Sequence, residues 1–109
     1  MYWFRRNPFS RQVSACFADS NLENMGAFLA MSRHSELQKI VETLREHGGG
    51  SFIFHPGEYL ELSVEDGQVT ARICLCDAFP CRMDVDFFCR LVTDYLAAWE
   101  SLRRELGEE

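Results

Sequence analysis

Two runs of alternating apolar residues flank Asp66-Gly67: Leu60-Glu-Leu-Ser-Val64 before it and Val69-Thr-Ala-Arg-Ile-Cys-Leu75 after it. Asp-Gly suits the two-residue type I′ turn, in which both residues need positive φ. With the turn at that point, Val64 faces Val69, Leu62 faces Ala71 and Leu60 faces Ile73. The other face pairs Ser63 with Thr70, Glu61 with Arg72 and Tyr59 with Cys74. A slip of one residue would set apolar against polar throughout. The chain is therefore committed to an antiparallel hairpin with one aliphatic face, and that face needs amphipathic elements to cover it.

Helical spacing supplies those elements. Ser20-Asn-Leu-Glu23 and Ser35-Glu-Leu-Gln38 both have capping-box spacing. Leu22, Met25, Phe28 and Leu29 follow the first box and predict a helix over about 21–32, weakened by about 1 kcal/mol at Gly26. Leu37, Ile40, Val41 and Leu44 follow the second and predict a helix over 36–47, stopped by Gly48-Gly49-Gly50. Asp84 is a suitable N-cap, with Met83 and Phe88 placed as a hydrophobic staple. Val85, Phe88, Val92, Tyr95, Trp99, Leu102 and Leu106 then predict a helix over 85–106. Phe87 and Leu91 widen its apolar face beyond a coiled-coil seam, which favours core packing.

Ser51 to His55 reads as a first strand and Pro56-Gly57 as its turn. The expected fold is a two-layer α+β domain over 19–109. It has a three-stranded antiparallel meander (51–55, 58–64, 69–76) with the helices packed on one face. Residues 1–18 carry Tyr2, Trp3, Phe4, Phe9 and Phe17 without a clean period. They are expected to be a basic aromatic segment, either mobile or docked on an apolar surface of the domain.

Charge excludes some functions. The net charge is -6 on 109 residues, which argues against direct nucleic-acid binding, because phosphate affinity needs clustered Lys and Arg. Residues 1–35 hold four arginines against two carboxylates, whereas 36–109 hold seven basic and fifteen acidic residues. No apolar run approaches the roughly 18–20 residues of a membrane span, so no membrane partner is expected. Five cysteines without a secretory signal point to a reducing, cytoplasmic setting.

Cys74, Cys76, Cys81 and Cys89 are the candidate metal ligands. Thiolates suit zinc, but structural sites pair cysteines as Cys-x2–4-Cys on a turn. Cys74 and Cys76 sit instead at i and i+2 of a predicted strand. Free cysteines filling small apolar spaces is the plainer reading, with a thiol- or zinc-dependent protein as the rival. His55-Pro56-Gly57-Glu58 resembles the haem-binding His-Pro-Gly-Gly of the cytochrome b5 family, with Glu58 replacing the second glycine. No histidine follows His55 to serve as a second axial ligand, so a turn is the better reading. No nucleophile, base and orienting group fall into a recognisable pattern, so no enzyme and no cofactor are expected.

The second sheet face is expected to carry Phe52, Phe54, Tyr59, Cys74 and Cys76 beside Glu61 and Arg72. Aromatics on such a face ask for a cover: the N-terminal segment, a second copy or a partner protein. Phe52, Phe54, Tyr59 and Glu61 are therefore the expected partner contacts.

Residues 37–106 resemble the C-terminal half of type III secretion chaperones. The similar pieces are the helix Leu37-x2-Ile40-Val41-x2-Leu44, the hairpin around Asp66-Gly67 and the closing helix Phe88-x2-Leu91-x3-Tyr95-x3-Trp99-x2-Leu102. That resemblance implies a small acidic dimer that holds an extended partner segment without ATP. The expected function is a small acidic non-enzymatic protein-binding module of chaperone, immunity or inhibitor type. A structural homodimer subunit is a further alternative.

Overall fold

A computed structural model describes residues 1–7, 9–47, 50–74 and 80–107. The central hairpin is built as expected. The strand over Leu60–Glu65 pairs with that over Gln68–Ile73 in the predicted register, from Leu60 opposite Ile73 to Val64 opposite Val69. Asp66 and Gly67 take φ of 51° and 77°, the two left-handed positions that a type I′ turn demands. Leu60, Leu62, Val64, Val69 and Ala71 are buried on one face.

In chain order the strands are β1 (Tyr2–Asn7), β2 (Gln12–Phe17), β3 (Phe52–Phe54), β4 (Leu60–Glu65), β5 (Gln68–Ile73) and β6 (Cys81–Asp84). The helices are α1 (Glu23–Met31), α2 (His34–His47) and α3 (Val85–Glu105), with a 3-10 turn over Ser20–Leu22. β3-β4-β5-β6 form one antiparallel sheet and β1-β2 a separate hairpin. The fold is α+β, but the sheet is a four-stranded meander rather than the expected three. The extra strand is β6, where Cys81 and Met83 pair with Ala71 and Val69 on the buried face and Arg82 points out. The predicted extension of the second hairpin strand through 75 and 76 lies outside the described residues.

The helices start where backbone partners allow. Asp19 Oδ1 accepts from the Asn21 N–H at 2.9 Å and organises the 3-10 turn, so α1 begins at Glu23 rather than 21. α2 begins two residues before the expected 36, because the Leu37 N–H already bonds the Arg33 carbonyl at 3.0 Å. Asp84 is the α3 N-cap residue, yet its side chain makes no capping bond. The Val85 N–H donates instead to the Gly67 carbonyl at 3.0 Å, which ties α3 to the β4–β5 turn.

α1 and α3 pack on the sheet and α2 packs along α3. Met25, Phe28 and Leu29 of α1, the Leu37/Ile40/Val41/Leu44 stripe of α2 and Phe88, Leu91, Val92, Tyr95 and Leu102 of α3 share one core. The α3 stripe is thus consumed within the molecule.

Tyr2–Asn7 and Gln12–Phe17 pair as an antiparallel hairpin that docks on the domain. Its register runs from Tyr2 opposite Phe17 to Asn7 opposite Gln12. Period-two alternation sends Tyr2, Phe4, Val13, Ala15 and Phe17 inward, and all five join or pack on the core. β2 lies on α1, where a Cβ on Gly26 would stand 2.9 Å from the Ala15 carbonyl oxygen. Glycine there is a close-approach residue as well as a weak helix former.

On α3, the Tyr2 ring meets Phe87 edge-on at 5.7 Å and Phe4 meets Tyr95 at 6.1 Å. The Tyr2 hydroxyl donates to Asp94 Oδ2 at 2.5 Å. Burial, and then this bond to a carboxylate, pushes the phenol up to about 12. Arg6 Nη1 reaches Ser101 Oγ at 3.1 Å and Glu105 Oε1 at 3.0 Å. The hairpin therefore covers helices, not the second face of the sheet.

Candidate interaction surface

The expected contact residues do not share a face. β3 pairs Phe52 with Val64, Ile53 with Ser63 and Phe54 with Leu62. Opposite residues in a sheet point the same way, so Phe52 and Phe54 lie on the helix face with Val64 and Leu62. The expected Pro56-Gly57 two-residue turn would have set Phe54 opposite Tyr59. The connection actually runs through 55–59 and shifts the pairing by an odd number of residues, which exchanges the two faces. Phe52 and Phe54 stack at 5.8 Å, half-buried against the core, and His47 approaches Phe52 at 5.7 Å.

Tyr59 and Glu61 remain toward solvent. Tyr59 is held at a φ of 62° with its carbonyl accepting the Cys74 N–H at 2.6 Å. Its side chain is exposed, as is that of Ile53, and Glu61 is half-buried opposite Arg72. The second face otherwise shows Ser63, Thr70, Arg72 and Arg82, as a solvated antiparallel face should. His55 serves the turn, with Nδ1 3.1 Å from the Leu60 carbonyl oxygen.

The aromatic surface that the sequence promised lies instead on the outer face of the β1–β2 hairpin. Trp3 is 50% exposed and Phe9 is fully exposed at the tip. The Ala18 N–H bonds the Met1 carbonyl, which carries the register outward and puts Met1 on the same face as Trp3 and Arg5. Asn7 Oδ1 accepts from the N–H groups of Phe9 and Ser10 at 3.0 and 3.3 Å. This Asn-centred turn fixes the tip that presents Phe9. Residues 1–18 hold three arginines and no acidic residue. The readable signal for this surface was the alternation Val13, Ala15, Phe17, opposite which Trp3 must point out.

The described cysteines are dispersed. Cys81 lies on the buried face of β6, Cys89 is buried on α3 and Cys74 is exposed after β5. Burial raises the Cys81 and Cys89 thiols above their ordinary range, which disfavours the thiolate. Among the described residues no three metal-ligating side chains come together. Cys76 lies outside the described residues. A groove of about 570 Å³ runs between α2 and α3. Arg45 and Arg90 on its walls are matched by Asp86 and Asp94, and Arg45 already donates to Thr93 Oγ1 at 3.0 Å.

His34 opens α2 against α3, with its ring 5.1 Å from Trp99 and 5.8 Å from Tyr95. Burial, and then the charge of Arg103, lower its pKa below the ordinary 6.5. Above 6.5 the ring is neutral in both the folded and the unfolded chain. Below it the unfolded chain gains a proton that the folded chain resists, so stability falls with pH. The melting temperature is expected to drop between about pH 7 and pH 5, and His34→Gln to flatten that slope. An unchanged slope in the variant would remove His34 from the account.

Comparison with protein-family models, curated proteins and solved structures finds no match. Among the described residues no helix is long and apolar enough to cross a membrane.

Proposed function

We propose that the chain is a small non-enzymatic protein-binding module, of chaperone, immunity or inhibitor type, which masks its partner through the outer face of the β1–β2 hairpin. One observation carries the reading. On an acidic molecule, the acid-free segment 1–18 presents Trp3 and Phe9 to solvent from a backbone held by a full strand ladder. Trp, Phe, Met and Arg are the residues enriched at interface centres, and a rigid strand pair loses little entropy on docking. Arg5, on the same face as Trp3, favours an acidic partner surface. The carboxylates elsewhere repel that surface and so select the hairpin as the point of encounter.

Phe52 and Phe54 drop out of the contact set because the core holds them. The resemblance to type III secretion chaperones supports a masking role in kind, with the contact surface moved to the N-terminus. The test is capture of the partner from cells that encode the chain, followed by titration of the purified pair. The double variant Trp3→Ser, Phe9→Ser is expected to melt like the parent. It is also expected to bind about thirtyfold more weakly or worse, the loss of at least one hot spot. Undiminished affinity would overturn the assignment.

A further inference from the structure

The four ionised side chains of the α2–α3 groove are matched in number but do not neutralise one another. Arg45 of α2 and Asp86, Arg90 and Asp94 of α3 share its walls, and Leu44, Val85 and Cys89 are the apolar part of the lining. Asp86, Arg90 and Asp94 stand at i, i+4 and i+8, the spacing at which opposite charges on a helix ordinarily pair. Among the described residues, however, no ion pair joins any of the four. Two of them are held elsewhere by hydrogen bonds that leave their charge unspent. Arg45 Nη2 donates to Thr93 Oγ1 at 3.0 Å, and the Thr93 hydroxyl donates in turn to the Cys89 carbonyl at 2.7 Å. Asp94 accepts from the neutral Tyr2 hydroxyl. Burial raises the Cys89 thiol, Arg45 then lowers it and Asp86 raises it, so a positive and a negative charge both reach the same point of the lining.

We propose that this groove binds a small zwitterion with an aliphatic side chain, of the size of an amino acid or a dipeptide. Arg45 takes the carboxylate of the ligand, Asp86 takes its ammonium group, and Leu44, Val85 and Cys89 take its side chain. Charge selects the whole ligand over its fragments. A simple anion meets Asp86 and Asp94 as well as the arginines, and a simple cation meets Arg45 and Arg90, whereas a zwitterion finds a partner for each end. A guanidinium already oriented by a neutral hydroxyl loses little freedom when it accepts a carboxylate. The groove volume of about 570 Å³ lies within the range of small-molecule sites. The site lies between α2 and α3 and not on the outer face of the β1–β2 hairpin, so it goes beyond the protein-binding reading and does not rest on it.

The test is a titration of the full chain followed by amide NMR. The probes are leucine, leucyl-leucine and two singly charged analogues, 3-methylbutanoate and 3-methylbutylamine. Saturable shifts are expected at residues 44–45 and 85–94 for at least one zwitterion, and the tighter of the two gives the size of the ligand. Each singly charged analogue is expected to bind the parent about tenfold more weakly or worse, the loss of one charge-assisted contact. Arg45→Gln and Asp86→Asn are expected to keep the parent spectrum away from the groove and to weaken the zwitterion by a similar factor. The analogue comparison uses the parent chain, so it decides the matter even if a variant fails to fold. No saturable shift with either zwitterion, analogues that bind as tightly, or undiminished binding by both folded variants would overturn the proposal. None of these outcomes bears on Trp3 and Phe9, so the hairpin reading stands or falls separately.

Discussion

Removing residues 1–18 is expected to cost the domain about 3–5 kcal/mol. The deletion bares Phe87 and Tyr95, the ring partners of Tyr2 and Phe4, and takes away the buried Val13. Returning a large apolar side chain to water costs about 1.5–3 kcal/mol. The freed backbone entropy of eighteen residues offsets part of this. The Tyr2–Asp94 bond and the Arg6 contacts with Ser101 and Glu105 are lost as well. For a domain this size, the melting temperature should fall on the order of 15 °C, and a hydrophobic dye should bind the truncated protein. An unchanged melting curve without dye binding would mean that the body is complete without its hairpin.

The second large effect is expected at Phe88. This side chain is fully buried in the first turns of α3, which lies among the sheet, α2 and the hairpin. Phe88→Ala should destabilise by about 3–5 kcal/mol, as a transfer loss plus a cavity that the surrounding elements cannot close. Phe88→Leu should recover most of that, and chemical denaturation measures both. A loss below about 1 kcal/mol for the alanine variant would place Phe88 outside a close-packed core.

What the sequence made legible follows from how local its signals were. The register of the β4–β5 hairpin could be read because six apolar residues alternate in step about an Asp-Gly turn, whereas its first strand starts at Leu60 and not at 58, since Tyr59 takes a φ of 62° in the preceding turn. α2 and α3 could be read because their stripes run for several uninterrupted turns. β6 was missed because seven residues separate it from β5 and its alternation spans only four positions. The β1–β2 hairpin was missed because Arg6 occupies an inward position and Trp3 an outward one, which blurs the alternation of hydrophobicity. The face of β3 was misread because a connection of unstated length decides it. Parity of a loop, not hydrophobicity of a strand, determines whether Phe54 or Ile53 meets the core. The candidate site moved for the same reason: aromatic content was visible, but its direction depended on pairing partners far along the chain.

The central claim is that the N-terminal hairpin is a fixed part of the fold, which holds Trp3 and Phe9 outward on a rigid platform. Amide hydrogen exchange of the intact chain tests it most directly. The ladder-bonded amides of Tyr2–Asn7 and Gln12–Phe17 should exchange with protection approaching that of the α3 core. Exchange of these amides at the rate of an unstructured peptide, while α3 stays protected, would contradict it.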